Sequence, residues 1–292
     1  MGKAGCLLNR AARWIVLGAV LLATPVFAFK PSAKYAADPR SLGIQYKDVS
    51  FKSTRDSVTV HGWWFAGRDS SPILVVCPSE TGNMADKLPS VREWVARGFS
   101  VLAFDLRDSG PASAGDVDSL HDVVFASSWV NDTEGALQFA RSRAGGRAVT
   151  AWGQDLGGAL AFSAAGRQRG NVDAIAIEGL FRTSQEQLLW LGTSQDPSVV
   201  TRHRIMVNAA DEPASVAAHM RASIFAVLAG KDEVTPPAVT QLLVARVPAI
   251  RETWSIPDAG HLHVERTPGY FDRVADALKR AITREQARWH PR

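Results

Sequence analysis

Cysteine is scarce in this chain. There are two among 292 residues, and one of them, Cys6, lies in the first few residues, ahead of a long uncharged run. Cys77 is alone in the remainder, so no internal disulfide can form there. Its setting, PILVVCPSE (72–80), is an apolar strand end and reads as a core thiol. Surplus charge is missing too. The 33 Lys and Arg exceed the 29 Asp and Glu by four, and Lys3, Arg10 and Arg13 supply three of those positives within residues 1–28, which hold no acid. The other residues carry 30 against 29. That balance gives no support for a nucleic-acid partner or a basic membrane-binding patch, whatever the overall pI of 9.3 suggests. Repeats, low-complexity tracts and long linkers are absent as well.

A run long enough to span a bilayer is also lacking, though only just. Trp14 to Phe29 is uncharged for 16 residues, against the ~17–25 that spanning requires. Three basic residues precede it and Val26-Phe27-Ala28 offers small residues at a cleavage position, so residues 1–28 are read as a signal peptide. Residues 29–292 are then one domain, periplasmic or secreted. The alternative is an uncleaved anchor at residues 14–29, with membrane contact only through this N-terminus.

The rest of the chain alternates strand-like and helical runs. Strands are expected at 44–52, 57–66, 72–77, 99–105, 147–152, 172–178, 223–229 and 250–256. Helices are expected near 85–97, 132–144, 156–168, 236–246 and 268–289. The first strands follow each other across turns, which implies an antiparallel start. From 72 onward, strand–helix alternation implies a mostly parallel sheet with helices on both faces. Continuous apolar strands such as ILVV (73–76) and IFAVLA (224–229) suit central positions covered on both sides.

Five segments, collinear over roughly residues 44–288, give this pattern a family likeness. They are the stretch from Ile73 to Gly110, with FDLR (104–107) and Gly110 inside it, then WGQDLGG (152–158), LAGKDEVTPP (228–237) and DAGHLHVERTPGYFDRV (258–274). Together they resemble the α/β-hydrolase superfamily, most nearly its lysophospholipase-like and serine-aminopeptidase-like branch. The likeness implies an eight-stranded α/β-hydrolase fold with no large cap, a small-molecule substrate and no cofactor. In the superfamily's order of nucleophile, acid and histidine, it implies Asp155, Asp232 and His261 as the catalytic set, with an oxyanion hole from the backbone N–H groups of Glu80 and Leu156. Glu178 is the alternate acid, His263 the alternate histidine and Ser79 the alternate nucleophile. No metal cluster is apparent; His261, His263 and Glu265 alternate along a loop that needs one catalytic histidine.

Asp155 departs from the pattern. It stands in G-x-D-x-G where a nucleophile elbow has serine. A serine needs histidine to remove its proton, whereas an aspartate with a reference pKa near 3.9, at a helix N-terminus, is expected to be ionised already. Such a carboxylate can displace a leaving group from carbon, and His261, oriented by Asp232, can then direct water at the resulting ester. That is the logic of haloalkane dehalogenases and epoxide hydrolases. Two other features differ from those enzymes: Leu156 follows the nucleophile where a dehalogenase has tryptophan, and none of the three tyrosines, Tyr35, Tyr46 and Tyr270, lies in the 180–222 connection. Pro78-Ser79-Glu80 replaces the usual His-Gly of the oxyanion loop, and the Glu80 carboxylate opposes a developing negative charge. Two classes therefore stand: a hydrolase with an aspartate nucleophile, and a lapsed serine-hydrolase relative kept as a binding or scaffold protein.

Overall fold

A computed structural model of the chain describes residues 30–111, 122–168, 170–194, 197–249 and 251–289. The signal-peptide segment 1–28 and the anchor alternative at 14–29 lie outside these residues. Among the described residues, no helix is long and apolar enough to cross a membrane.

Eight strands build one sheet: β1 (Lys47–Lys52), β2 (Thr59–Phe65), β3 (Ile73–Val76), β4 (Ser100–Phe104), β5 (Val149–Gln154), β6 (Ala174–Glu178), β7 (Ser223–Lys231) and β8 (Arg251–Gly260). Their order across the sheet is β8-β7-β6-β5-β3-β4-β2-β1. β2 runs antiparallel to both β1 and β4, and every other pairing is parallel. The expected antiparallel start and parallel remainder are both present.

The helices are α1 (Leu88–Ala96), α2 (Ser127–Ser142), α3 (Leu156–Arg167), α4 (Ser184–Ser194), α5 (Pro237–Ala245) and α6 (Tyr270–Trp289). Alternation along each central strand divides the core into two layers. Ile73 and Val75 of β3 join Trp129 of α2, Leu160 of α3 and Leu243 of α5 on one face. Leu74 and Val76 join Trp94 of α1 and Val274 and Leu278 of α6 on the other. Because both faces are covered, β3 is fully buried along its length. Cys77 continues it into the first layer, and burial pushes its thiol up to about 12, as befits an inert core group.

Helix α2 begins at Ser127, ahead of the expected 132, because Trp129 and Val130 are wholly buried and carry its first turn into the core. The last two strands run past their expected ends at 229 and 256, to Lys231 and Gly260, and they remain paired there, Lys231 opposite Gly260. A Cβ on Gly230 would lie 2.5 Å from the Pro257 carbonyl oxygen, so glycine permits the close approach. Among the described residues, the connection from 179 to 222 carries α4, a short strand (Arg204–Met206) and a few short turns of helix, and no large cap.

The FDLR turn works as a brace. Arg107 donates to both oxygens of Asp132 on α2 (2.7–3.2 Å) and pairs with Asp56 at 2.6 Å. Asp132 is wholly buried. Asp105 accepts the Met84 N–H and the Tyr35 hydroxyl, both at 2.7 Å, and so fixes the loop after β3. Arg107→Ala would strand the Asp132 charge in the core. The variant is expected to lose about 3–5 kcal/mol in a denaturant titration; a loss under about 1 kcal/mol would show that the brace carries no stability.

Candidate active site

Four strands deliver side chains to one end of the sheet. β5 ends at Gln154 and α3 starts at Leu156, which leaves a single residue, Asp155, to turn the chain. Asp155 takes φ 46° and ψ −113°, a backbone that L residues rarely adopt, and here it forces the side chain out of the turn. The flanking glycines are required by contact. A Cβ on Gly153 would lie 2.2 Å from the Gly157 carbonyl oxygen, and one on Gly157 would lie 2.4 Å from that of Pro78. The Asp155 N–H is fixed to the Glu178 carbonyl at 2.8 Å.

The acid and the histidine meet through strand register. With Lys231 paired to Gly260, the next residue on each strand is Asp232 and His261. His261 Nδ1–H donates to both Asp232 oxygens at 3.2 Å. Asp232 is further held by the N–H groups of Val234 and Thr235 and by the Thr235 hydroxyl, at 2.8–2.9 Å. Burial alone would raise its pKa; these partners, His261 foremost, outweigh burial and lower it. His261 Nε2 faces Asp155 Oδ2 at 3.9 Å. The structure thus brings together Asp155, Asp232 and His261, the three residues the sequence singled out.

A fourth group, missed as a side chain, completes the cluster. Glu80 was expected to contribute only its N–H, with its charge as an obstacle. Its carboxylate instead turns inward, 3 % exposed, with Oε1 3.3 Å from His261 Nε2. The sole signal in the sequence is an acid directly after Pro78-Ser79, in the loop that Asp105 pins. Leu156, at the first position of α3, offers the unpaired N–H of a helix start.

The alternates are placed less directly, although Glu178 lines a small cavity together with Asp155, Asp232 and His261. Ser79 is buried, and no contact ties its hydroxyl to His261. His263 is exposed. Glu178 is bonded away from His261: it accepts from Gln154 Nε2 at 2.5 Å and from the Tyr270 hydroxyl at 3.3 Å. Lys87 donates to Gln154 Oε1 at 3.0 Å, and Trp152 Nε1 donates to the Tyr270 oxygen at 2.9 Å. This buried chain underlies the elbow.

The electrostatics overturn one expectation. Asp155 does not keep the ionisation of a free aspartate. Burial, then the Glu80 carboxylate against it, hold its pKa well above the ordinary value, and the helix N-terminus does not compensate. Glu80 moves the other way: burial raises it, but hydrogen bonds from the Asp155 carboxyl and His261 prevail and lower it. Burial disfavours the His261 imidazolium, yet Asp155, Asp232 and Glu80 outweigh burial and push it up to about 11. The two titrations are linked: an ionised Asp155 favours the imidazolium most strongly, and when Asp155 takes a proton the Asp232 and Glu80 carboxylates remain to hold it. A cavity of about 10 Å³, room for a single water, lies among Asp155, Asp232, His261 and Gly179.

No protein-family profile matches the chain. It is 22% identical over 248 residues to the protein Bem46 of Schizosaccharomyces pombe, covering 82% of this chain and 79% of that one. It is 24% identical over 259 residues to an uncharacterized Mycobacterium tuberculosis protein, covering 87% and 85%. Among solved structures, the Pyrococcus furiosus esterase Pf2001 superposes with a TM-score of 0.65 at 15% identity, over 87% of this chain and 98% of that one. The chain has the α/β-hydrolase fold. The α/β hydrolase GrgF from a Penicillium species is another such structure, with a TM-score of 0.61 at 18% identity, over 82% of this chain and all of that one. In the α/β-hydrolase frame, Asp155 occupies the elbow that follows the fifth strand.

Glu178 generates a prediction. Burial, the main cause, lifts its carboxyl from 4.5 to about 8. The folded state therefore binds a proton that the unfolded state releases between those values, and stability falls as pH rises through that window. Glu178→Gln cannot titrate. Its stability relative to the parent is expected to improve by about 4 kcal/mol between about pH 5 and about pH 8.5, measured by denaturant melts; a pH-independent difference would mean that Glu178 is charged in the folded state.

Proposed function

We propose that the chain is an exported hydrolase that cleaves a carbon–leaving-group bond of a small apolar substrate through Asp155, His261 and Asp232. The observation that carries this reading is the left-handed elbow at Asp155, with His261 Nε2 3.9 Å from its carboxyl and Asp232 holding the other face of the imidazole. A lone turn aspartate would need neither partner. Export rests on the basic N-terminus and the uncharged run after it. The product side is periplasmic or extracellular, or, with the leader retained, the outer face of a membrane.

The steps follow from the charges. The proton on Asp155 passes to Glu80. An Asp155 oxygen then forms a bond to the substrate carbon as the leaving group departs with its bonding pair, which leaves an alkyl ester on the protein. With Asp155 esterified and Glu80 protonated, only Asp232 stays charged beside His261, so the imidazolium gives up its proton to solvent, or to the alkoxide where an epoxide has opened, and a halide leaves as the free anion. Neutral His261 then takes a proton from water as that water attacks the Asp155 carbonyl carbon. The Leu156 N–H lies at the elbow to meet the oxyanion. Collapse expels the alcohol, which takes the proton back from His261, and the net change is R–X plus water to R–OH plus HX. Esters are the least natural substrates, because carbonyl attack by Asp155 would give an anhydride. The esterases among the superposed structures therefore support the fold and a hydrolytic role, not an ester substrate.

A second reading is favoured by one observation. Glu80 sits at His261 Nε2, and the cavity beside it is about 10 Å³. A lapsed relative retained for binding would look similar. The two readings separate in a turnover screen of haloalkanes, epoxides and esters, run with the parent chain, Asp155→Ala and His261→Gln. Turnover lost in Asp155→Ala, by about a thousandfold or more, together with an alkyl adduct on Asp155 that accumulates in His261→Gln and is seen by mass spectrometry, is the expected result. No turnover with any substrate would favour the binding protein, and turnover indifferent to Asp155 would overturn the aspartate nucleophile.

A further inference from the structure

We infer that Glu80, Asp155 and His261 form a binding site for a divalent transition-metal ion of the zinc class. The three donors come from the ends of β3, β5 and β8, and one ligand atom from each lies within 4.8 Å of the others. Two atoms bound to the same tetrahedral ion at about 2.0–2.1 Å lie roughly 3.3 Å apart. His261 Nε2 and Glu80 Oε1 are separated by 3.3 Å. His261 Nε2 and Asp155 Oδ2 are separated by 3.9 Å, so the Asp155 carboxyl has to close in on the imidazole by about 0.6 Å.

A second observation points to a missing partner. Glu80 is 3 % exposed, and no N–H or hydroxyl donates to its Oε2, which leaves the neighbouring Asp155 carboxyl to partner it, while Oε1 lies against His261. A buried carboxylate oxygen left without a donor is costly, and a cation between Glu80 and Asp155 would satisfy it. A proton held between the two carboxyls would do the same, and the experiment below distinguishes the two.

The surroundings suit a metal. Asp232 accepts Nδ1–H of His261, so Nε2 faces the cluster and is the nitrogen that gives up its proton to a metal. This carboxylate–histidine–metal arrangement is the usual support of a ligating imidazole. A cavity of about 10 Å³, room for one water, borders two of the three ligands, Asp155 and His261. One imidazole and two carboxylates suit Zn²⁺ or Co²⁺, whereas Ca²⁺ and Mg²⁺ prefer an all-oxygen shell.

This inference does not depend on the hydrolase reading: the ion would occupy the Asp155 and His261 atoms that serve there as free nucleophile and base, and the readout is bound metal, so the two are tested separately. The untagged full chain, stripped with a chelator, is titrated with Zn²⁺ by calorimetry and with Co²⁺ by visible absorption. One ion per chain is expected, with the intense bands of a four-coordinate cobalt site, and no binding of Ca²⁺ or Mg²⁺ at the same concentrations. Glu80→Gln removes one ligand charge at constant shape and should weaken Zn²⁺ binding by more than about tenfold. Asp232→Asn leaves all three ligands in place and should weaken it by roughly 10–100-fold. Circular dichroism of each variant confirms folding, and the cobalt spectrum of the parent chain stands should either variant fail to fold. Absence of stoichiometric Zn²⁺ binding, a six-coordinate cobalt spectrum, equal binding of Ca²⁺, or a folded Glu80→Gln that binds like the parent would each overturn the site and leave a shared proton as the partner of Glu80.

Discussion

Three carboxyl groups surround one imidazole in a site with almost no room for water, and their mutual repulsion governs everything near the elbow. Charges this close in a dry place cannot all persist. Asp232 is relieved by the Thr235 and Val234 donors and stays anionic. Glu80 and Asp155 have only each other and His261, so one of them keeps a proton and the imidazole keeps another. The consequence is a cluster whose composition is set by charge balance more than by any single residue's chemistry.

The fold makes this crowding unavoidable. Adjacent parallel strands end at the same edge, and the residues that follow β3, β5, β7 and β8 are Glu80, Asp155, Asp232 and His261 or lie within a few positions of them. Local packing then removes freedom. The glycines of the elbow let the α3 turn lie against the Pro78 carbonyl, which brings the loop after β3 against the nucleophile position. Asp105 pins the same loop from the other side through the Met84 N–H. A glutamate in that loop has little choice but to enter the site.

The sequence carried the skeleton of this arrangement well. Strand and helix spacing identified the sheet, and the motifs around Asp155, Asp232 and His261 identified the residues that converge. The pattern was legible because glycine, proline and apolar alternation are local signals. The ionisation of Asp155 was not legible, because a reference pKa describes an aspartate in water and says nothing of a glutamate many residues away. The direction of the Glu80 side chain was hidden for the same reason. The ends of β7 and β8 were also misjudged: the pairing of Lys231 with Gly260 is a long-range fact, and it is this pairing that sets acid beside histidine. The first turn of α2 was overlooked because Trp129 is helical through its burial, not through its neighbours in sequence.

The short cover helix α4 adds a mechanical connection. Gln187 donates to the Val234 carbonyl at 2.7 Å, and the Trp190 indole donates to the Glu233 carbonyl at 3.1 Å. Both anchors lie on the loop whose N–H groups hold Asp232. The cover and the acid therefore share one hinge. A shift of α4 would be felt by the loop that holds Asp232, with two hydrogen bonds as the linkage.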